Sequence, residues 1–322
     1  MTCSNSHLNA SRVVVMGGLG FMGSHLCREL LSRGIRVRIF DKLYASHALI
    51  KDFEHEIEII KGDVERTQDV MNALENASTL IYLIHSTVPG SSMDDPTYDV
   101  ASNVIPAVKW LQRLSETTIR QIIFISSGGT VYGVPQTNLV DENHPTDPIS
   151  SYGITKLAIE KYIGMYSTLF DIDYRIVRPS NVYGPGQRLY IGQGVIGVMA
   201  DRALRAHPIE IWGTGLNLRD YLYIEDFISA TMAILAYKGP HRIFNVSSAI
   251  GYSVLDIMRT IGSQIGVLPE VIYKSARAFD VLVNVLDSSR LRTSTGWSTK
   301  VDLDLGIART IEWLRTLQNT AD

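Results

Sequence analysis

Arg12-Val-Val-Val-Met-Gly-Gly-Leu-Gly-Phe-Met-Gly23 is an apolar strand running straight into a glycine-rich turn. A helix over 21–32 follows, with Leu26, Leu30 and Leu31 on one face. Gly17, Gly20 and Gly23 stand three apart. Small residues there let the backbone turn tightly and come close to a pyrophosphate. The free N–H groups and dipole of the helix start, at Phe21, Met22 and Gly23, would then hold that anion. A second strand over 36–40 ends at Asp41, which lies 18 residues after Gly23. An acidic side chain at that distance can accept hydrogen bonds from adenosine ribose hydroxyls. A lone glycine triplet is weak evidence; strand, turn, helix, strand and terminal Asp in register are strong. The carboxylate repels a 2′-phosphate, so the expected cofactor is NAD rather than NADP, a preference that neighbouring Lys42 softens.

Working outward, strand-like runs alternate with helical patterns: a strand at 57–60, a helix at 68–75, a strand at 79–84, a helix at 98–114, a strand at 121–126, a helix at 152–170 and a strand at 174–177. This alternation predicts an α/β fold, a Rossmann-type doubly wound parallel sheet with helices on both faces. Ligands on such sheets sit at the carboxyl ends of the strands. Those ends carry Gly17, Asp41, Asp63, His85, residues 126–130 and residues 178–181. After Arg178 the texture changes to short elements between glycine-rich loops, read as a smaller C-terminal α/β substrate lobe. The expected organisation is a polar tail over 1–11, a dinucleotide domain over 12–178 and a substrate lobe over 179–322, with the boundary interleaved.

The 322 residues are 45% hydrophobic and 20% charged, enough for one large unit or two fused lobes. A formal net charge of -3 leaves no basic footprint, so nucleic acid is not expected as a partner. The two cysteines, Cys3 and Cys27, do not make a disulfide framework or a zinc site, and no metal is expected. No apolar run nears the roughly 20 residues that span a bilayer, and 1–11 lacks the core of a secretion signal. A cytoplasmic location follows as the default.

Tyr152-Gly-Ile-Thr-Lys156 places a phenol and an ammonium four apart on a helix, on one face. A lysine charge beside a phenol favours phenolate and lowers its pKa from about 10. The tyrosine can then take a proton from a sugar hydroxyl near neutral pH. Alone, this spacing is an ordinary solvated helix pair. Here it follows a complete dinucleotide fingerprint and a hydroxyl-rich strand end.

With these motifs the chain resembles the extended short-chain dehydrogenases/reductases, within the NAD-dependent nucleotide-sugar epimerase/dehydratase group. The resemblance rests on the glycine turn, Gly62-Asp-Val64, Asn103, Ser126-Ser-Gly-Gly-Thr-Val-Tyr-Gly133, Tyr152 with Lys156, Arg178-Pro-Ser-Asn-Val-Tyr-Gly-Pro185, Arg219-Asp-Tyr-Leu-Tyr223, Arg277 with Asp280, and Gly296-Trp297. It implies that Asp63 and Val64 contact the adenine and that Leu83 to His85 pass the cofactor pyrophosphate and ribose. Asn103 and Ser180 would also belong to the cofactor site. Lys156 would hold the nicotinamide ribose hydroxyls. Asn181, Trp212, Arg219, Arg277 and Asp280 would take the nucleotide sugar, arginine's planar fork suiting phosphate oxygens. For Arg219 and Arg277 the bland alternative is an ion pair with Asp220 or Asp280. The helices near 98–114 and 152–170 would form a homodimer face, although packing on the sheet occupies them anyway.

Three positions depart from the family pattern. Anchored on Val131-Tyr132-Gly133, the usual catalytic Ser/Thr position falls on Gly128, so the hydroxyl must come from Ser127 or Thr130. Ser127, fixed by the sheet, is the favoured one. His85 stands where a small residue is usual and is read as a packed side chain that shapes the site. Met16 replaces a common threonine and is read as core. The resemblance implies a UDP-hexose or UDP-N-acetylhexosamine 4-epimerase working through a transient 4-keto sugar, of the kind used in polysaccharide biosynthesis. A dehydratase or decarboxylase of the same family, or a non-catalytic NAD-dependent sensor, are the alternatives. Gly129 and Thr130 stand where the dehydratases carry Asp-Glu, which disfavours the first of these.

Overall fold

The computed structural model describes residues 12–190, 194–267, 269–275 and 281–319. The chain divides into two compact units, Met1–Ser126 with Ser151–Val177 and Pro240–Ile243, and Ser127–Ser150 with Arg178–Gly239 and Phe244–Asp322. The segment 127–150, expected in the dinucleotide domain, therefore groups with the second unit.

The first unit is built on parallel strands β1 (Arg12–Met16), β2 (Val37–Asp41), β3 (Glu58–Lys61), β4 (Ala77–Tyr82), β5 (Gln121–Ile125) and β6 (Asp173–Pro179). Their spatial order is β3-β2-β1-β4-β5-β6, with the short strand Ile243–Val246 beyond β6 making seven. Strand order reverses between β1 and β4, where sheets of this kind open a crevice for a dinucleotide. α1 (Phe21–Ser32) buries Leu26, Cys27 and Leu30. The main apolar cluster joins Val14, Met16, Phe40, Leu80, Tyr82 and Phe124 with residues of α2 (Thr67–Leu74), α5 (Ile105–Leu111) and α6 (Ser151–Phe170), including Trp110 and Ile159. Met16 is fully buried there, as its reading as core requires.

The helix expected over 98–114 is broken up. It starts within α4 (Pro96–Asp99), which follows a separate α3 (Pro89–Asp94), and continues through a π-helical turn, Val100–Val104, into α5. Two causes are local. Pro106 has no N–H for a regular i→i−4 bond. The Ser102 hydroxyl and Asn103 amide donate instead to the carbonyls of Tyr98 and Asp99, at 2.8 and 2.9 Å. π-turns of this sort often mark functional positions.

The second unit holds β7 (Asn181–Tyr183), β8 (Ile209–Trp212), β9 (Leu218–Tyr223), α7 (Val195–Leu204) and α8 (Ile224–Ala236), followed by β10, the strand Ile243–Val246 already placed beyond β6, and three further strands. These are β11 (Gly251–Ser253), β12 (Val271–Lys274) and β13 (Val283–Asn284). β9 is central, with β11 and β13 on either side and β7 also paired to it; β8 and β12 pair separately. No helix among the described residues is long and apolar enough to cross a membrane.

Candidate active site

The glycine turn is as tight as its spacing requires. Gly17 sits at φ +91°, and a Cβ at Gly23 would stand 2.1 Å from the Gly17 carbonyl oxygen and 2.7 Å from Gly18 Cα. Only glycine lets α1 start this close to the turn. No side chain caps α1, and no acidic residue stands in its first turn, so its leading N–H groups suit an anion. The Asp41 carboxylate accepts hydrogen bonds from the Leu19 and Lys42 N–H groups, at 3.0 and 2.8 Å. The acidic residue is thus tied to the glycine turn itself.

Beside it, Lys42, Leu43, Tyr44, Gly62, Asp63, Val64, Glu65, Ser86 and Tyr98 line a pocket of about 170 Å³. Asp63, Val64 and Lys42, chosen from sequence, meet here. Leu83 donates its N–H to the Met16 carbonyl at 3.0 Å, and its Cβ lies 3.4 Å from the position a Cβ at Gly17 would take. Phe21 and Met22 open α1, half-buried. These residues fit an adenine dinucleotide: a cradle that excludes any Cβ, an uncapped helix start and a carboxylate at the end of β2.

Tyr152 and Lys156 lie in the first turns of α6, with Lys156 Nζ 5.7 Å from the Tyr152 ring centre. Lys156 is buried and donates to the Ile125 carbonyl at 2.9 Å. Burial pushes the ammonium down to about 7, against the attraction of Glu160 and Asp99. Burial, then the charge of Asp99, pushes the Tyr152 phenol up. The expectation that the lysine lowers the tyrosine is therefore corrected for the protein alone: desolvation of both groups outweighs their coupling.

Asp99 organises this turn. Its buried carboxylate accepts from Thr87 Oγ1 at 2.5 Å, Ser151 Oγ at 2.7 Å, Asn103 Nδ2 at 3.0 Å and Thr155 Oγ1 at 3.1 Å. Burial pushes Asp99 up, but hydrogen bonds from His85, Thr87 and Ser151 outweigh it and hold the group at about 2. Ser151 and Thr155 bracket Tyr152, so one carboxylate fixes the helix turn that presents the phenol. Ser92 Oγ accepts the Tyr152 N–H at 3.0 Å. Asn103 is consumed within the chain, since its Oδ1 also accepts the Ser86 N–H at 2.7 Å. It pins the strand end rather than presenting a free amide. His85 packs edge-on against Tyr152, ring centres 4.5 Å apart. Ser126 Oγ donates to Glu160 Oε1 at 2.5 Å.

Sequence reading missed Asp99, Ser92, Thr155 and Glu160. The available signal was helical spacing: Asp99 precedes Asn103 by four, and Glu160 follows Lys156 by four.

In the second unit, Ser127 and Thr130 lie on one turn, where the Ser127 carbonyl accepts the N–H groups of Thr130 and Val131. Thr130 Oγ1 is buried with no hydrogen-bond partner among the described residues. A Cβ at Gly128 would stand 2.3 Å from Leu286 Cδ1 and 3.1 Å from the Arg178 carbonyl oxygen. A residue with a Cβ there would have to push Leu286 aside, which disfavours a serine. Asn181 donates to the Asp220 carbonyl at 2.8 Å. The Asp220 carboxylate accepts from Ser180 Oγ, Ser248 and Ala249 at 2.9 to 3.0 Å. It thereby holds Ser180 and Asn181 beside Arg219, which is next to it on β9. Trp212 ends β8, half-exposed. Arg277 and Asp280 lie outside the described residues.

Glycine turn, tethered carboxylate and the Tyr/Lys pair of α6 define a Rossmann-type enzyme that works with a dinucleotide. The model of the NAD-dependent epimerase/dehydratase family matches residues 13–247. The chain belongs to that family, whose cofactor is NAD. A putative UDP-glucose 4-epimerase of Methanocaldococcus jannaschii is 32% identical over 309 residues, 96% of this chain and all of that protein. The dTDP-4-dehydro-6-deoxyglucose reductase of Escherichia coli is 30% identical, covering 94% of this chain and 97% of its own. The crystal structure of Thermotoga maritima UDP-glucose 4-epimerase with UDP-glucose superposes with a TM-score of 0.89 at 27% identity, covering 95% of this chain and 99% of that one.

Proposed function

We propose that the protein is an NAD-dependent 4-epimerase of a UDP-hexose or UDP-N-acetylhexosamine. The observation that carries this reading is the Tyr152–Lys156 turn, its lysine buried and its tyrosine half-buried, held by Asp99 in the same unit as the glycine turn. Similarity to UDP-glucose 4-epimerases along nearly the whole chain supports it. Bound NAD supplies the hydride acceptor and donor and, when oxidised, a positive charge. Tyr152 takes the proton from the sugar 4-hydroxyl and returns it after the 4-keto sugar has turned its other face. Lys156 steadies the phenolate. Asn181 and Arg219 hold the diphosphate, and a hydroxyl from Ser127 or Thr130 assists at the sugar 4-oxygen. Gly129 and Thr130, in place of a carboxylate pair, leave no acid and base there for loss of water.

The test is incubation of protein and NAD with UDP-glucose, UDP-N-acetylglucosamine and UDP-glucuronic acid, with sugar analysis. Interconversion of 4-epimers without net NADH change is the expected result. Stoichiometric NADH consumption by a 4-keto sugar nucleotide would replace this reading with a reductase. We also propose a homodimer through the faces near 98–114 and 152–170. They expose Tyr98 and Ile105, and Ile154, Tyr162, Met165 and Leu169. Light scattering on Met165→Lys should give monomer where the unaltered protein gives dimer.

A further inference from the structure

The Asp99 carboxylate is buried where three segments meet. Thr87 and His85 reach it from the chain after β4, Asn103 from the π-helical turn, and Ser151 and Thr155 from α6. The two α6 hydroxyls stand one residue before and three residues after Tyr152, and both donate to the same oxygen, Oδ2. The His85 ring, with Nε2 3.5 Å from Oδ1, packs edge-on against the Tyr152 ring. Backbone turn and ring of Tyr152 are thus both placed by contacts that lead back to one carboxylate.

The partners of Asp99 are hydroxyls, an amide and an imidazole that burial, then the Lys156 charge, pushes down to about 4 and so keeps neutral at physiological pH. They orient the carboxylate and leave its charge uncancelled. That charge faces Tyr152 and Lys156; the other ionisable groups here are His85 after β4 and Glu160 on α6. A negative charge away from water opposes proton loss from phenol and ammonium alike. The two groups titrate as a pair, so the charge acts on both steps whichever group loses its proton first. We propose that Asp99 is a positioning residue for the reacting pair in two respects: it aligns Tyr152 through Ser151, Thr155 and His85, and its uncancelled charge sets the pH range in which the Tyr152/Lys156 pair is active. The inference rests on the reading of Tyr152 as the base.

Two variants pull the roles apart. Asp99→Asn keeps an oxygen for Thr87 and Asn103 and turns its amide toward hydroxyls that can rotate to accept, so alignment largely survives without the charge. Asp99→Glu keeps the charge but carries it one methylene past Ser151 and Thr155. The first readout is the pH dependence of turnover by the NAD-loaded protein with the UDP-sugar it converts. Asp99→Asn should slide both limbs of the profile to lower pH by roughly one unit. Asp99→Glu should leave the limbs in place and lower turnover at every pH by about tenfold or more, with KM for the sugar little changed. A merely structural role would lower turnover in both variants and move neither limb. The second readout needs no sugar: tyrosinate absorbance during alkaline titration of the NAD-loaded protein, taken as the difference from Tyr152→Phe. It should rise at lower pH in Asp99→Asn than in the unaltered protein or Asp99→Glu. A profile and a titration that stay in place in Asp99→Asn would overturn the proposal. Should Asp99→Asn not fold, Ser151→Ala combined with Thr155→Val, which retains the charge, must show lower turnover with unmoved limbs; full turnover there would overturn the alignment. A tyrosinate shift in a protein that converts no UDP-sugar would uphold Asp99 and strike the epimerase reading instead.

Discussion

Lys156→Met should make the cofactor-free protein more stable at low pH while removing its activity. Lys156 is 3% exposed, and its ammonium falls from 10.5 to about 7 in the fold. That fall opposes the charged form by about 5 kcal/mol. Methionine, of similar length and without charge, escapes it. Against this, the Ile125 carbonyl loses its donor, which costs about 1–3 kcal/mol. A net gain of about 3 kcal/mol at pH 6 remains. Between about 7 and 10.5 the unfolded lysine binds a proton that the folded one does not, so stability of the unaltered protein rises with pH across that window. The advantage of the variant is therefore complete below pH 7, shrinks by about 1.4 kcal/mol per pH unit above it, is gone by about pH 9 and reverses beyond. Urea unfolding followed by circular dichroism at pH 6, 8 and 9.5 measures it. A variant less stable at pH 6, or a difference that ignores pH, would refute the reasoning.

Tyr152→Phe removes the base but keeps the ring against His85; turnover should fall by the order of 10² or more with the thermal midpoint little changed. Ser127→Ala and Thr130→Val should differ sharply in turnover at similar NAD affinity. Thr130→Val is expected to be the worse, because its buried hydroxyl has no partner among the described residues; two fully active variants would remove the assisting hydroxyl from the mechanism. Arg219→Ala should weaken UDP as well as UDP-sugar by roughly 1.5–3 kcal/mol, the worth of a charge-assisted contact. An unchanged dissociation constant for UDP, read by calorimetry, would leave Arg219 a structural residue.

The dinucleotide half was legible because its constraints are local. A turn that admits no Cβ at Gly23, a helix start and a carboxylate at Asp41 all lie within thirty residues, and each leaves a residue type as its trace. Strand alternation likewise carried the parallel sheet. The Tyr152/Lys156 pair was legible as one helix face. What surrounds the pair was not. Asp99 reaches Ser151 and Thr155 across 52 and 56 residues of chain, and no periodicity encodes that meeting. Nor did spacing reveal that α6 buries Lys156 and leaves Tyr152 half-buried beside it. Spacing measures proximity, whereas the protonation balance is set by how much water the packed elements exclude, so it reversed the expected effect on Tyr152. The same holds at Gly128: the sequence shows a missing hydroxyl, but only the packing shows Leu286 pressed against the place a Cβ would take. Residue types and local spacing determined the class of cofactor and the reacting pair. Desolvation and long-range hydrogen bonding, properties of the assembled core, decided how that pair is held and charged.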